Sequence, residues 1–194
     1  MTELILASTS RYRQELLTRL RVPFRCIAPQ VDEAVVQARY AAHRAEQLAE
    51  HLAEAKARSV AALEPDAIVL GSDQVCVCAG QVLNKPGTVE RACEELAFLA
   101  GKQHALITAV CLIHAGRTLA FKDVTTLQMR PLSAGEIARY VAADEPLDCA
   151  GSYKLESLGI SLFESIQSED HTAITGLPLM LLARQLRQLG LNVP

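Results

Sequence analysis

Ala67-Ile68-Val69-Leu70-Gly71-Ser72-Asp73-Gln74 is the stretch whose reading decides the fold. Four apolar residues, two of them β-branched, run together and predict a strand buried on both faces. Gly71 and Ser72 are expected to break that strand. Asp73 then stands at its end, where a carboxylate is held firmly yet open to a cleft. The simplest alternative is that Ser72-Asp73 only starts a turn. The rest of the chain bears on that choice.

Upstream, Leu4-Ile5-Leu6-Ala7 predicts a first strand. Ser8-Thr9-Ser10 breaks it, and a helix is expected from Arg11 to Leu20, with Leu16, Leu17 and Leu20 on its inner stripe. Ser10 is the expected N-cap. Arg11 and Arg13 sit in the first turn, where cations oppose the helix dipole. Their cost is offset if an anion binds between them, because free N–H groups at a helix start favour anions. Two solvated arginines are the alternative. Phe24–Ile27 is a short second strand, and Val31-Asp32-Glu33 places two acids in a loop. A helix is predicted from Ala42 to Leu63, with His43 and His51 on its polar side and Lys56 at the edge of its buried stripe.

Downstream, Val75–Cys78 and Gln81–Leu83 form a hairpin around Ala79-Gly80. Pro86 forces Lys85 into an extended conformation. A helix capped by Thr88 runs from Val89 to Ala100. Ala105–Ile113 and Thr118–Met129 are long strands joined through Ala115-Gly116. Ser133-Ala134-Gly135-Glu136 has capping-box spacing and opens a helix. Ile160–Ile166 reads as a further strand. Leu179–Leu189 is a last helix, stopped by Gly190. The expected class is α/β, with a mixed central sheet flanked by helices.

The composition narrows the function. Of the 194 residues, 50% are hydrophobic and 21% charged, which fits a globular core and excludes disorder. A formal net charge of −3 gives no bulk attraction to nucleic acid or anionic membrane. No apolar run approaches the roughly 18 residues a spanning helix needs. Met1–Ala7 lacks a basic leader, so a cytoplasmic location is expected. The 6 cysteines read as reduced, small hydrophobes. Cys76 and Cys78 are spaced too closely for an ordinary zinc pair. The chain lacks a GxGxxG fingerprint, a Walker loop and a GxSxG elbow, and its histidines are scattered. Acids (Glu33, Asp73), cations (Arg13, Lys56, Lys85) and hydroxyls (Ser8, Ser10) remain. Such a set suits phosphoryl chemistry: acids hold a metal or activate water, and cations and hydroxyls take phosphate charge.

Seven blocks in order carry a resemblance. They are Leu6-Ala7-Ser8-Thr9-Ser10-x-x-Arg13, Val31-Asp32-Glu33, Leu52-Ala53-x-x-Lys56-Ala57, Gly71-Ser72-Asp73, Lys85-Pro86, Gly151-Ser152-Tyr153 and Thr175-Gly176-Leu177-Pro178. In this order they resemble the Maf family of nucleoside triphosphate pyrophosphatases. Ser72–Cys76 and Cys149–Ser152 resemble its YceF-like branch, which acts on 7-methyl-GTP. The resemblance implies one domain over residues 1–194, with two lobes around a cleft as in Maf- and ITPase-like proteins. It implies Asp73 as proton acceptor, with Glu33, Lys56 and Lys85 as further catalytic groups. Ser8, Ser10 and Arg13 would bind phosphate. Glu33 and Asp73 would hold a divalent metal, magnesium or manganese. Tyr12, Gln74 and Glu156 would set base preference. The first block departs from the family pattern: Arg11 replaces a usual proline, and Tyr12 stands where arginine or tryptophan is common.

The chemistry of these three positions suits a methylated guanine. N7-methylation makes the base cationic, and an aromatic face such as Tyr12 attracts a stacked cation. Ordinary packing on the first helix is the other use of that ring. Glu156 can accept two hydrogen bonds from the guanine edge, and Gln74 can both donate and accept. The resemblance also implies a homodimer and a nucleoside triphosphate substrate, while the charge balance and the lack of a long apolar run lead to the expectation of no nucleic-acid or membrane partner. Hydrolysis of another base's triphosphate, such as UTP or dTTP, is one alternative. A non-catalytic nucleotide-binding role in cell division is another.

Overall fold

The computed structural model describes residues 2–40 and 44–193. Its elements run β1 (Leu4–Ala7), α1 (Arg11–Thr18), β2 (Phe24–Cys26), α2 (Glu33–Tyr40), α3 (Ala45–Ala61), β3 (Ile68–Cys78), β4 (Gln81–Leu83), α4 (Val89–Leu99), β5 (Gln103–His114), β6 (Arg117–Met129), α5 (Ala134–Asp144), β7 (Phe163–Gln167) and α6 (Leu179–Gln188). Among the described residues, seven strands form one sheet in the order β2-β1-β3-β5-β6-β7, with β4 paired to β3. β1 is parallel to β2 and β3, while β3–β4 and β6–β7 are antiparallel, so the sheet is mixed and the class is α/β. Among the described residues, no helix is long and apolar enough to cross a membrane.

The chain divides into two compact units. The first holds residues up to Asp73, Thr108–Asp123 and the chain from Asp170 on; the second holds Gln74–Ile107 and Val124–Glu169. In the first unit, Leu4 and Leu6 of β1 and Ile68 and Leu70 of β3 point to one face, two residues apart. They pack with Leu16 and Leu17 of α1 and with Leu182 and Leu186 of α6. On α3, Leu52, Ala53, Ala57 and Val60 are buried. A Cβ on Gly71 would lie 2.3 Å from the Ala53 carbonyl oxygen and 2.6 Å from the Ala57 amide. A glycine on the strand and alanines on the helix therefore let the two backbones touch.

That close approach corrects one expectation. Gly71-Ser72 does not break the strand; β3 runs unbroken from Ile68 to Cys78. Pairing to β1 as far as Gly71 and to β4 from Cys76 on overrides the local turn chemistry, and Gly71 serves helix packing. Three other expectations change. Of the two acids expected in a loop, Asp32 lies just ahead of a helix and Glu33 opens it. Asp32 Oδ1 accepts the Ala34 and Val35 amides at 3.0 and 3.2 Å and so caps α2, whose first residue is Glu33. Ser10 is the N-cap position of α1, but its side chain makes no cap bond. Ile160–Leu162 belongs to a 3₁₀ turn, Leu158–Leu162, and the strand starts only at Phe163. Of the long helix, α3 starts at Ala45, and the expected start at Ala42-His43 lies outside the described residues.

In the second unit, Ala79 and Gly80 both take positive φ (50° and 79°), the mirror-image turn that matches strand twist. The Ser133/Glu136 capping box forms as the spacing predicts. His104 is 3% exposed, shares a 2.9 Å hydrogen bond with the Tyr153 hydroxyl, and packs near Phe163. Burial lowers its imidazole from 6.5 to about 4. Above pH 6.5 both folded and unfolded chains hold this histidine neutral. As pH falls toward 4, only the unfolded chain takes up the proton, so stability declines. Between pH 7.5 and 4 this group removes about 3 kcal/mol. Denaturant midpoints for the protein and for His104→Gln check this. The variant is expected to lose that share of the acid dependence, and identical slopes would contradict the assignment.

Candidate functional site

Gly71 faces α3, and Asp73, two residues on, shares that face of β3. Lys56 stands one residue before Ala57, the alanine that Gly71 admits. The same packing therefore brings the Lys56 ammonium within 2.6 Å of Asp73 Oδ1. Lys56 and Asp73 are 6% and 7% exposed. Glu33, on the first turn of α2, brings Oε1 to 2.8 Å from the same ammonium while its side chain stays half exposed. One buried cation thus ties together two carboxylates from separate elements. The Lys56–Asp73 pair is held by mutual attraction in a poorly solvated place, and removing Lys56 leaves Asp73 a stranded charge.

Arg13, on α1, belongs to the same group. Its Nε donates to the Gly176 carbonyl at 3.2 Å. Burial lowers its pKa, and attraction from Asp73 and Glu33 opposes that. Arginine nonetheless remains a cation. Ser72, fully buried, donates from Oγ to the same Gly176 carbonyl at 3.0 Å. Ala7, the last residue of β1, pairs with Gly71 of β3 in parallel register, so Ser8 leaves the carboxyl end of β1 while Ser72 and Asp73 continue within β3, no longer paired to β1. Ser8 is buried, and its Oγ accepts the Ser10 amide at 3.1 Å, shaping the turn into α1.

Tyr12 is partly buried, and the Arg11 guanidinium lies 4.8 Å from its ring centroid and donates to its hydroxyl at 2.9 Å. One cation already stacks on this ring, as an aromatic quadrupole favours.

Gln74, Lys85 and Glu156 belong to the second unit. Gln74 is half-buried on β3, and Lys85 is exposed between β4 and α4. Glu156 is exposed in a turn after Lys154. That turn is anchored by the Lys154 ammonium, which donates to the Asp144 and Glu145 carbonyls at 2.7 and 3.1 Å. Within it, Ser157 and Gly159 amides both bond the Lys154 carbonyl. Nearby, Ser152 takes φ 63° and donates to Glu95 at 2.5 Å.

Sequence reasoning found Glu33, Lys56, Asp73 and Arg13, and the structure brings these four together. It did not find a role for Ser72 or for Asp170, Thr172 and Gly176. The signal for Asp170 and Thr172 was present: an Asp-x-Thr pair shortly before the helix-opening Pro178-Leu179. Among the described residues, no group of three or more His, Cys, Asp or Glu side chains could hold a metal alone. Glu33 and Asp73 are hard oxygen donors converging on one positive charge. Two carboxylates completed by substrate oxygens are the donor set that magnesium commonly takes.

Residues 3–189 match the family described as Maf-like protein. A protein of Xanthomonas axonopodis pv. citri (strain 306) named 7-methyl-GTP pyrophosphatase is 51% identical over 194 residues, covering 100% of both chains. Proteins of the same name from Bdellovibrio bacteriovorus and Pseudomonas aeruginosa PAO1 are 46% and 44% identical; the first alignment covers 97% of this chain and 98% of that one, the second 100% of both. A family match over nearly every residue, and relatives aligned end to end at this identity, leave one conclusion: the chain belongs to the Maf-like protein family.

Proposed function

We infer that this protein is a nucleoside triphosphate pyrophosphatase that hydrolyses 7-methyl-GTP to 7-methyl-GMP and diphosphate, thereby keeping modified nucleotides from being incorporated. The observation that supports it most is the buried Asp73–Lys56 pair joined by the half-exposed Glu33, with Arg13 beside it, in a chain alike end to end to proteins of that name. A binder needs cations for phosphate; it does not need two carboxylates that repel the same phosphates.

In the reaction, the oxygen of water attacks the α-phosphorus and the bond from that phosphorus to the α–β bridging oxygen breaks. Asp73 takes a proton from the attacking water. Lys56 fixes the orientation of Asp73 through their 2.6 Å contact. Arg13 and the hydroxyl-lined turn at Ser8–Ser10 carry phosphate charge. A magnesium or manganese ion held by Glu33 and Asp73 would neutralise charge on the phosphates when bound. Lys85 as a further phosphate cation, and Tyr12, Gln74 and Glu156 as readers of the base, rest on the resemblance of their motifs. A homodimer and a cytoplasmic location are proposed on the same ground, as is one functional domain over the whole chain.

The test is a substrate panel with diphosphate detection. kcat/KM for 7-methyl-GTP is expected to exceed that for GTP by roughly tenfold, the range of one cation–π contact, with UTP and dTTP lower still. Tyr12→Ala is expected to remove most of the advantage over GTP. Preference for UTP, with Tyr12→Ala neutral on 7-methyl-GTP, would move the assignment to another base.

A further inference from the structure

Asp170 is 1% exposed and lies outside the cluster described above. Its Oδ1 accepts the Thr172 amide at 3.0 Å and the Thr172 hydroxyl at 2.5 Å, and its Oδ2 accepts the Met180 amide at 2.7 Å. The Thr172 hydroxyl in turn accepts the Leu179 amide at 2.9 Å. Leu179 and Met180 open α6, and Pro178 ahead of them makes no side-chain cap bond. A carboxylate and a hydroxyl reached from upstream therefore satisfy two of the orphan donors of that helix, where negative charge is favoured.

The consequence falls on the turn between them. Its backbone is closed by Thr175 N to Thr172 O at 3.2 Å, Gly176 N to Ala173 O at 2.9 Å and Leu177 N to Thr172 O at 3.4 Å. Thr108 Oγ1 holds the Ala173 carbonyl at 2.8 Å. Gly176 sits at φ 116°, which calls for a glycine, and a Cβ there would press on Arg13 Nε at 3.3 Å. What this frame presents is one carbonyl, that of Gly176, which receives both Arg13 Nε and Ser72 Oγ. Ser72 adjoins Asp73 in the strand. The turn thus joins the arginine to the strand residue next to the carboxylate.

We propose that Asp170 is a positioning residue: through Thr172 and the Gly176 carbonyl it sets the Arg13 guanidinium where that cation meets the phosphate chain. The proposal rests on the triphosphate reading above and extends it to a residue that itself touches no substrate. A guanidinium anchored through Nε is restricted in rotation and keeps both Nη nitrogens outside that bond. Loosening the anchor lets it sample other rotamers, which weakens its hold on phosphate.

A double-mutant cycle tests this. The probe is 7-methyl-GTP with a methylene bridge between the α- and β-phosphorus, titrated with magnesium into the full-length protein well below Tm. Asp170→Asn and Arg13→Ala are each expected to weaken binding by roughly tenfold. The double variant is expected to be within about twofold of Arg13→Ala, since residues acting as one unit are not additive. A merely structural role for Asp170 would give multiplying losses, which overturns the proposal while leaving the pyrophosphatase reading intact. Where Asp170→Asn does not fold, Thr172→Val, which cuts the same chain of bonds, carries the cycle. A coupled cycle in a protein that releases no diphosphate from 7-methyl-GTP would uphold the positioning role and sink the reaction. A wild-type protein that does not bind the analogue overturns both.

Discussion

Asp73→Asn lowers kcat for 7-methyl-GTP about a thousandfold, within the range that a positioned general base contributes. The amide keeps the shape of the carboxylate but cannot take the proton of the attacking water. The fold is expected to survive, because Lys56 retains Glu33 at 2.8 Å as a counter-charge. KM is expected to change less than kcat, since the proton transfer lost belongs to the chemical step, while Glu33 and the amide oxygen at position 73 still face the metal. Steady-state kinetics with a thermal melt on the same preparation separates these effects. A variant that melts with the wild type and turns over at near wild-type rate would remove Asp73 from the mechanism.

Lys56→Met is the substitution expected to cost most in stability. It leaves Asp73, 7% exposed, without its 2.6 Å partner, and stranding a buried charge is far costlier than deleting a surface pair. Glu33 is half exposed and returns to water at little cost. The loss is expected to be about 3 kcal/mol, or about 10 °C in Tm for a chain of this size. Adding Asp73→Asn removes the stranded charge, so the double variant is expected to regain most of that stability while staying inactive. Such a rescue is the signature of an ion pair kept for function, because a pair kept for stability would not be replaced so cheaply. A single variant that melts with the wild type, or a double variant less stable than both singles, would contradict this reading of the cluster.

The sequence showed the set of charges more clearly than the local geometry that assembles them. Lys56 read as the edge of a helical stripe, and the structure buries it, because Gly71 and Ala57 bring helix and strand into contact. Glu33 read as a loop acid because α2 buries none of its side chains, so there was no apolar stripe to see; only the Asp32 cap announced it. Gly71-Ser72 read as a break because glycine and serine are turn residues in isolation. In the sheet, β1 pairs along β3 as far as Gly71, and the strand runs straight on. The role of the Asp170–Gly176 turn was hidden for a different reason. Its bonds join residues 163 and 104 positions apart in the chain, and no local pattern encodes such a link.

Cleavage of the α–β phosphoanhydride with Asp73 as base is tested by identifying the products of 7-methyl-GTP after exposure to wild-type protein and to Asp73→Asn, side by side with magnesium present. The wild type is expected to give 7-methyl-GMP and diphosphate in equal amounts, and the variant about a thousandth of that rate. Release of orthophosphate with 7-methyl-GDP, or equal turnover by the two proteins, would contradict it.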